Sequence, residues 1–193
     1  MKRLYLSRHS RTQANEAHLY CGWTDLPLTE NGRRIAADLR EKRDLPKDIR
    51  FASSGMLRAN ETLFLLYGKA PDEILPEMKE MNFGEFEMHS YEQLLSRPEY
   101  IRWIEDETGD LPCPGGESRN EFNRRVLQCA NEQAKREDTD NLLILCHGGV
   151  IANIMEAWFP KEERNFYEWQ PGACGGYIIT IENGKPTGFE TIE

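Results

Sequence analysis

Two short apolar runs, each ending in a histidine, constrain this chain more than any other feature. Leu4-Tyr5-Leu6-Ser7 leads into Arg8-His9, and Leu142-Leu143-Ile144-Leu145-Cys146 leads into His147-Gly148-Gly149. Runs of this length suit strands of a parallel sheet that is buried on both faces. In open α/β sheets the carboxyl ends of the strands form the ligand crevice, so the chain delivers a histidine twice to one edge. A polar residue at one strand end is ordinary; the same residue at two is a site in outline.

Between these runs, strand and helix signals alternate. Thr29 is placed to cap a helix that carries Ile35, Ala36 and Leu39 and ends near Arg43, before Leu45-Pro46. Ile49-Arg50-Phe51-Ala52 reads as a second strand, followed by Ser53-Ser54-Gly55 and a helix bearing Arg58, Ala59, Thr62, Leu63 and Leu66. Arg58 falls in the first turns of that helix, where backbone N–H groups already favour an anion. From 74 to 88 the pattern is mixed, and Glu80 precedes a loop with aromatic anchors at Phe83 and Phe86. Short helices are expected over 91–95 and 98–105, then a turn-rich linker over 110–116. Ser118 with Glu121 three residues on forms a capping box for the helix bearing Phe122, Val126, Cys129 and Ala130. A helix over 150–159, a polar connection over 160–171 and a core strand over 176–181 follow. Asn183-Gly184 then turns that strand into a C-terminal antiparallel hairpin. The pattern predicts a three-layer α/β/α fold around a mostly parallel central sheet. One domain spanning 1–193 is expected, with a substrate-selecting insertion around 74–117.

A formal charge of −9 argues against nucleic acid or an anionic membrane surface as a partner, because both need a basic footprint. No apolar run approaches the roughly 20 residues of a membrane span, and the run after Met1-Lys2-Arg3 is too short for a secretory signal. A cytoplasmic location is the expectation. The five cysteines, Cys21, Cys113, Cys129, Cys146 and Cys174, are scattered without paired spacing. Neither a disulfide framework nor a metal site is therefore expected, and no motif calls for a cofactor.

Two arginines, two histidines and a glutamate suit phosphoryl transfer through a histidine. Guanidinium groups bind phosphate oxygens in bidentate fashion, a role open to Arg8 and Arg58. His9 follows its strand directly, as an attacking imidazole requires, and His147 beside it would stabilise charge on the phosphoryl oxygens. A leaving alkoxide needs a proton, and Glu80 is the candidate donor. Cys113 precedes Arg119 at the spacing of cysteine-dependent phosphatases, but Pro112, Pro114 and Glu117 are hostile to such an anion loop.

In order and spacing these residues resemble the histidine phosphatase superfamily, also called the phosphoglycerate mutase-like family. The resemblance spans nearly the whole chain. It runs through Arg8-His9, Asn15, Cys21-Gly22-Trp23-Thr24-Asp25, Pro27-Leu28-Thr29 and Gly32, then Ser53-Ser54, Leu57-Arg58-Ala59 and Thr62. Glu80 with Phe83-Gly84, Gly115-Gly116-Glu117-Ser118 and His147-Gly148-Gly149-Val150-Ile151 complete it. It implies a phosphoglycerate mutase-like fold and metal-independent hydrolysis of a small-molecule phosphate monoester. His9 would be the phosphorylated nucleophile, with Glu80 and His147 the other catalytic residues. Arg8, Asn15, Cys21, Gly22, Arg58 and Gly148 would line the phosphate pocket. Within the superfamily, Ile74-Leu75-Pro76-Glu77-Met78, the stretch from Glu80 to Met88, and His18-Leu19-Tyr20-Cys21-Gly22 look most like the α-ribazole phosphatases of cobalamin synthesis. A phosphoglycerate mutase, a sugar-phosphate phosphatase and a catalytically silent phospholigand-binding relative are the alternatives.

Ser10 and Arg11 depart from the family pattern, which usually has glycine and glutamate there. Ser10 is small enough for the turn to survive, while its Cβ could crowd the backbone's approach to phosphate, which bears on activity and not on fold; Arg11 is expected to face solvent. Tyr20, Trp23, Phe83 and Phe86 are candidates for stacking on a flat base. His18 and His89 read as surface residues, and Trp158, Trp169 and Tyr177 as packing.

Overall fold

Among the described residues, six strands form one sheet at the centre of the computed structural model, which describes residues 2–42, 44–45 and 48–193. In chain order they are β1 (Lys2–Arg8), β2 (Arg50–Ser53), β3 (Glu73–Ile74), β4 (Asn141–Cys146), β5 (Gly176–Glu182) and β6 (Lys185–Ile192). Across the sheet the order is β3-β2-β4-β1-β5-β6. The first four are mutually parallel; β5 runs antiparallel to β1 and turns back into β6. Asn183 and Gly184 both hold positive φ, 50° and 71°, as a two-residue turn matched to strand twist requires.

The α-helices are α1 (Gln13–Glu16), α2 (Glu30–Leu39), α3 (Leu57–Tyr67), α4 (Tyr91–Leu94), α5 (Pro98–Ile104), α6 (Arg119–Lys135) and α7 (Gly148–Trp158). Side-chain alternation along the strands splits the core in two. Leu4, Leu6, Leu142 and Ile144 pack towards Val126 of α6 and Ile151 of α7, whereas Tyr5, Leu143 and Leu145 pack towards Leu63 of α3. With α2 against α3, the result is helices on both faces of the sheet. The ends of α2 and α6 follow the expected caps: Thr29 accepts from Gly32 N, and Ser118 from Glu121 N.

Several boundaries differ from expectation. Strand β2 runs one residue further on than the apolar pattern, since Ser53 pairs with Leu145 and Ile74 in the ladder. Helix α7 begins at Gly148, directly after the strand, with His147 as its N-cap. The connection over 160–171 is not wholly polar: Trp169 is fully buried against Tyr177 and Phe189. Helix α2 ends at Leu39 and continues as a tight turn, Arg40–Lys42; Arg43 and Pro46 lie outside the described residues.

Register, more than any single contact, assembles the crevice. Arg8 pairs with Cys146 on β4, and Ser53 with Leu145. His9 and His147 therefore leave two adjacent parallel strands at one level, with Ser54 one residue behind them on the third.

Candidate active site

His9 and His147 face each other with ring centroids 5.1 Å apart, and both are buried. His9 Nδ1 lies 2.6 Å from the Ser10 carbonyl oxygen. A carbonyl only accepts, so Nδ1 carries the proton and Nε2 keeps its lone pair. His147 has the opposite tautomer. Arg58 Nε donates to its Nδ1 at 3.3 Å, so its protonated Nε2 donates to Ser54 Oγ at 2.9 Å. Burial, followed by the nearby guanidiniums of Arg58 and Arg8, pushes His9 well below the usual histidine range. Burial first and Arg58 next do the same to His147.

Arg58 is 1% exposed and reaches the site from the second residue of α3. Its Nη2 donates to Gly22 O at 2.6 Å and its Nη1 to Thr24 O at 3.0 Å. Arg8 Nη1 donates to Pro171 O at 2.7 Å. Neither guanidinium forms an ion pair with a described carboxylate. Two largely desolvated cations beside two neutral imidazoles leave positive charge for a ligand to neutralise.

Glu80 closes the far side. Its Oε2 accepts from Gly149 N at 2.9 Å and its Oε1 from its own neighbour, Met81 N, at 3.0 Å. A Cβ on Gly149 would overlap that carboxylate, and one on Gly148 would lie 3.1 Å from Arg8 Cζ. The glycine pair thus lets both charged side chains approach the start of α7.

The structure brings Arg8, His9, Arg58 and His147 together from strand ends and a helix start, and Glu80 joins them from a loop. Gly22 contributes through its carbonyl and through close packing of its Cα on the Met81 backbone. The Cys21 thiol, half-buried, donates to Thr24 O at 3.5 Å, and burial raises it above the usual thiol range. Asn15 uses its Oδ1 to cap α1, accepting from Thr12 N and Oγ1 at 3.0 Å. Ser10 does not crowd the crevice. Its hydroxyl turns away to Gly32 O of α2 at 2.7 Å, and its N–H donates to Thr62 Oγ1 at 2.9 Å. Arg11 faces solvent.

The aromatic candidates divide. Phe86 is fully buried against Tyr100 and Trp103 and is a core residue, not a stacking surface. Tyr20 and Phe83 pack on each other at that cluster's edge. Trp23 is 46% exposed, its Nε1 donating to Glu80 O at 3.1 Å. Cys113 is buried, its thiol pushed up to about 12 chiefly by desolvation, which is the reverse of an activated nucleophile.

Sequence reasoning missed the parts played by Ser54 and Glu87. Ser54 appeared only within a motif, and its contact with His147 becomes visible only through strand register. Glu87 accepts from Trp23 N at 2.7 Å and Thr24 N at 2.6 Å, tying the loop that holds Arg58 to the loop that holds Glu80. No local pattern marks it.

Comparison with known proteins follows the same lines. The chain is 39% identical over 158 residues to "Adenosylcobalamin/alpha-ribazole phosphatase" of Salmonella typhimurium, covering 79% of this chain and 77% of the relative. The crystal structure of the alpha-ribazole phosphatase from Shigella flexneri superposes with a TM-score of 0.84 at 28% identity, covering 98% of this chain and 95% of that one. That of phosphoglycerate mutase from Thermus thermophilus gives 0.73 at 29% identity, over 99% of both chains. With the profile of the histidine phosphatase superfamily (branch 1) matching residues 4–190, and the histidine pair, two arginines and glutamate gathered at one sheet edge, the chain belongs to that superfamily.

Proposed function

We propose that this histidine phosphatase hydrolyses α-ribazole 5′-phosphate, a step of cobalamin synthesis, through a phosphohistidine at His9. The observation that carries the reaction is the His9 imidazole, locked by the Ser10 carbonyl with Nε2 free and set among two guanidiniums and a second imidazole.

In the first step the Nε2 lone pair forms a bond to phosphorus and the P–O ester bond breaks. The departing oxygen takes a proton from Glu80. In the second step water gives a proton to Glu80 and attacks phosphorus. The P–N bond then breaks, and its electron pair returns to Nε2. Arg8 and Arg58 hold the phosphoryl oxygens. When Arg58 Nε turns from His147 to the phosphate, His147 Nδ1 is free to take up a proton as the dianion binds, and the imidazolium then binds the charge that develops. Ser54 holds the other side of that ring throughout. Asn15, Cys21, Gly22 and Gly148 line the rest of the phosphate pocket.

In this reading residues 1–193 act as one domain in the cytoplasm, and the segment around 74–117 selects the substrate. Glu80 belongs to that segment, and the exposed Trp23 indole is tied to its backbone, where the leaving group departs. The names of the Salmonella and Shigella relatives support the choice of ester. A panel of α-ribazole 5′-phosphate, sugar phosphates and phosphoglycerates tests it. The expected result is the highest kcat/KM for α-ribazole 5′-phosphate with release of inorganic phosphate; preferred isomerisation of phosphoglycerate would overturn it.

A further inference from the structure

The carboxylate of Glu80 sits on a loop with little regular structure, yet its backbone is gripped by one side chain from α6. Arg125 Nη2 donates to Glu80 O at 2.9 Å, and Nη1 donates to Glu77 O at 2.7 Å and Lys79 O at 2.8 Å. Its remaining donors go to Glu117, Nε to Oε1 at 2.6 Å and Nη2 to Oε2 at 2.8 Å. Glu117 completes the grip by accepting from Asn82 N at 2.8 Å on the same Oε2. The guanidinium is also stacked on Phe122, 5.1 Å from its ring centroid. All five N–H groups of Arg125 are thus committed, three of them to carbonyls of residues 77–80. On its other side the Glu80 carbonyl accepts from the Trp23 indole.

We propose that the Arg125–Glu117 pair is the positioning device for the proton donor, setting where the Glu80 carboxylate lies relative to the leaving oxygen. The inference rests on the reading of Glu80 as that donor. A planar fork with five fixed donors holds three backbone carbonyls at once, whereas a lysine ammonium keeps the charge and loses the span. The side chains of Arg125 and Glu117 are 20% and 16% exposed, so solvent competes little for these bonds. Among the described residues Arg125 donates no hydrogen bond to His9, His147, Arg8 or Arg58. Its charge is one of those that lower His147, and a lysine at 125 keeps that charge. Its loss should therefore fall on leaving-group protonation and spare attack by His9.

The dependence of kcat/KM on the leaving group tests this, because that ratio reports steps through phosphorylation of His9. Arg125→Lys and Glu117→Gln are compared with Glu80→Gln on α-ribazole 5′-phosphate and p-nitrophenyl phosphate, with thermal unfolding measured for each. The expected result is a loss on the order of 10-fold for the alkyl ester and under about 3-fold for the nitrophenyl ester. Equal losses on both esters, or none on either, in folded protein would overturn the proposal. If Arg125→Lys does not fold, the isosteric Glu117→Gln carries the test. A selective Glu80→Gln beside unselective pair variants refutes the positioning role alone. An unselective Glu80→Gln refutes the donor reading, and the pair's role with it.

Discussion

The imidazoles of His9 and His147 meet edge to face, their planes 63° apart and their centroids separated by 5.1 Å. With Arg8 and Arg58 beside them, four groups capable of positive charge share one buried space. Such a cluster is tolerable when the imidazoles stay neutral, or when an anion enters. The resting state follows the first course, and a phosphate dianion would supply the second.

Stability should report that resting state directly. The two folded imidazoles are held below their unfolded value of about 6.5, so the unfolded chain binds more protons below that pH. Their neutral forms cost nothing above this range. As pH falls through it, stability is lost by up to ~1.4 kcal/mol per pH unit for each histidine. Urea unfolding between pH 7.5 and 5.5 measures the slope, in a window above the depressed carboxylates Asp106 and Asp138. His147→Gln should make it shallower, and a flat profile would contradict the neutral pair.

Binding of an oxyanion should raise His147 and draw in a proton. Calorimetry of phosphate binding near pH 7.5, in two buffers of different ionisation enthalpy, is expected to give uptake approaching one proton per site. Arg58→Lys should weaken that binding. No proton uptake would mean that His147 stays neutral in the complex.

Glu80→Gln should slow an alkyl ester by on the order of 10²-fold and p-nitrophenyl phosphate much less in the first-turnover burst, since nitrophenolate scarcely needs a proton. The burst is the quantity to follow, because Glu80 also serves the second step as base. A large and equal effect on both esters would assign Glu80 to shaping the pocket instead.

Gly149→Ala separates the catalytic geometry from the fold. The new Cβ would meet the flexible end of Glu80 and so displace the carboxylate. Alanine is also favoured over glycine within a helix, by about 1 kcal/mol. The variant is expected to unfold no more easily than the parent while losing about 10-fold or more in kcat/KM on alkyl esters. Gly22→Ala should instead destabilise, because its Cβ would overlap the Met81 backbone, which has nowhere to move cheaply.

Phosphorylation at His9 should be visible as acid-labile label after a brief pulse with substrate, absent in His9→Ala. Chelator is expected to leave turnover unchanged. Activity lost to chelator and restored by a divalent ion would overturn the mechanism.

Much of this site could be read along the chain because its residues sit where local rules operate. His9, Arg58 and His147 each stand at a strand end or a helix start, and apolar runs, caps and turns such as Ser118 with Glu121 or Asn183-Gly184 are written within a few residues. The remainder lies in contacts between distant segments. Ser54 meets His147 across 93 positions, and Arg125 meets Glu80 across 45, and no short window contains both partners. Trp23 and Phe86 are both aromatic neighbours of family motifs, yet one is exposed beside Glu80 and the other fully buried. Their chemistry is alike; what differs is which parts of the chain cover them. Ser10 makes the same point: its hydroxyl would crowd or clear the crevice according to its direction, and the Gly32 carbonyl of α2, packed alongside, sets that direction. Periodicity reports which residues want burial or an element's end, while register and packing across the sheet settle which of them meet.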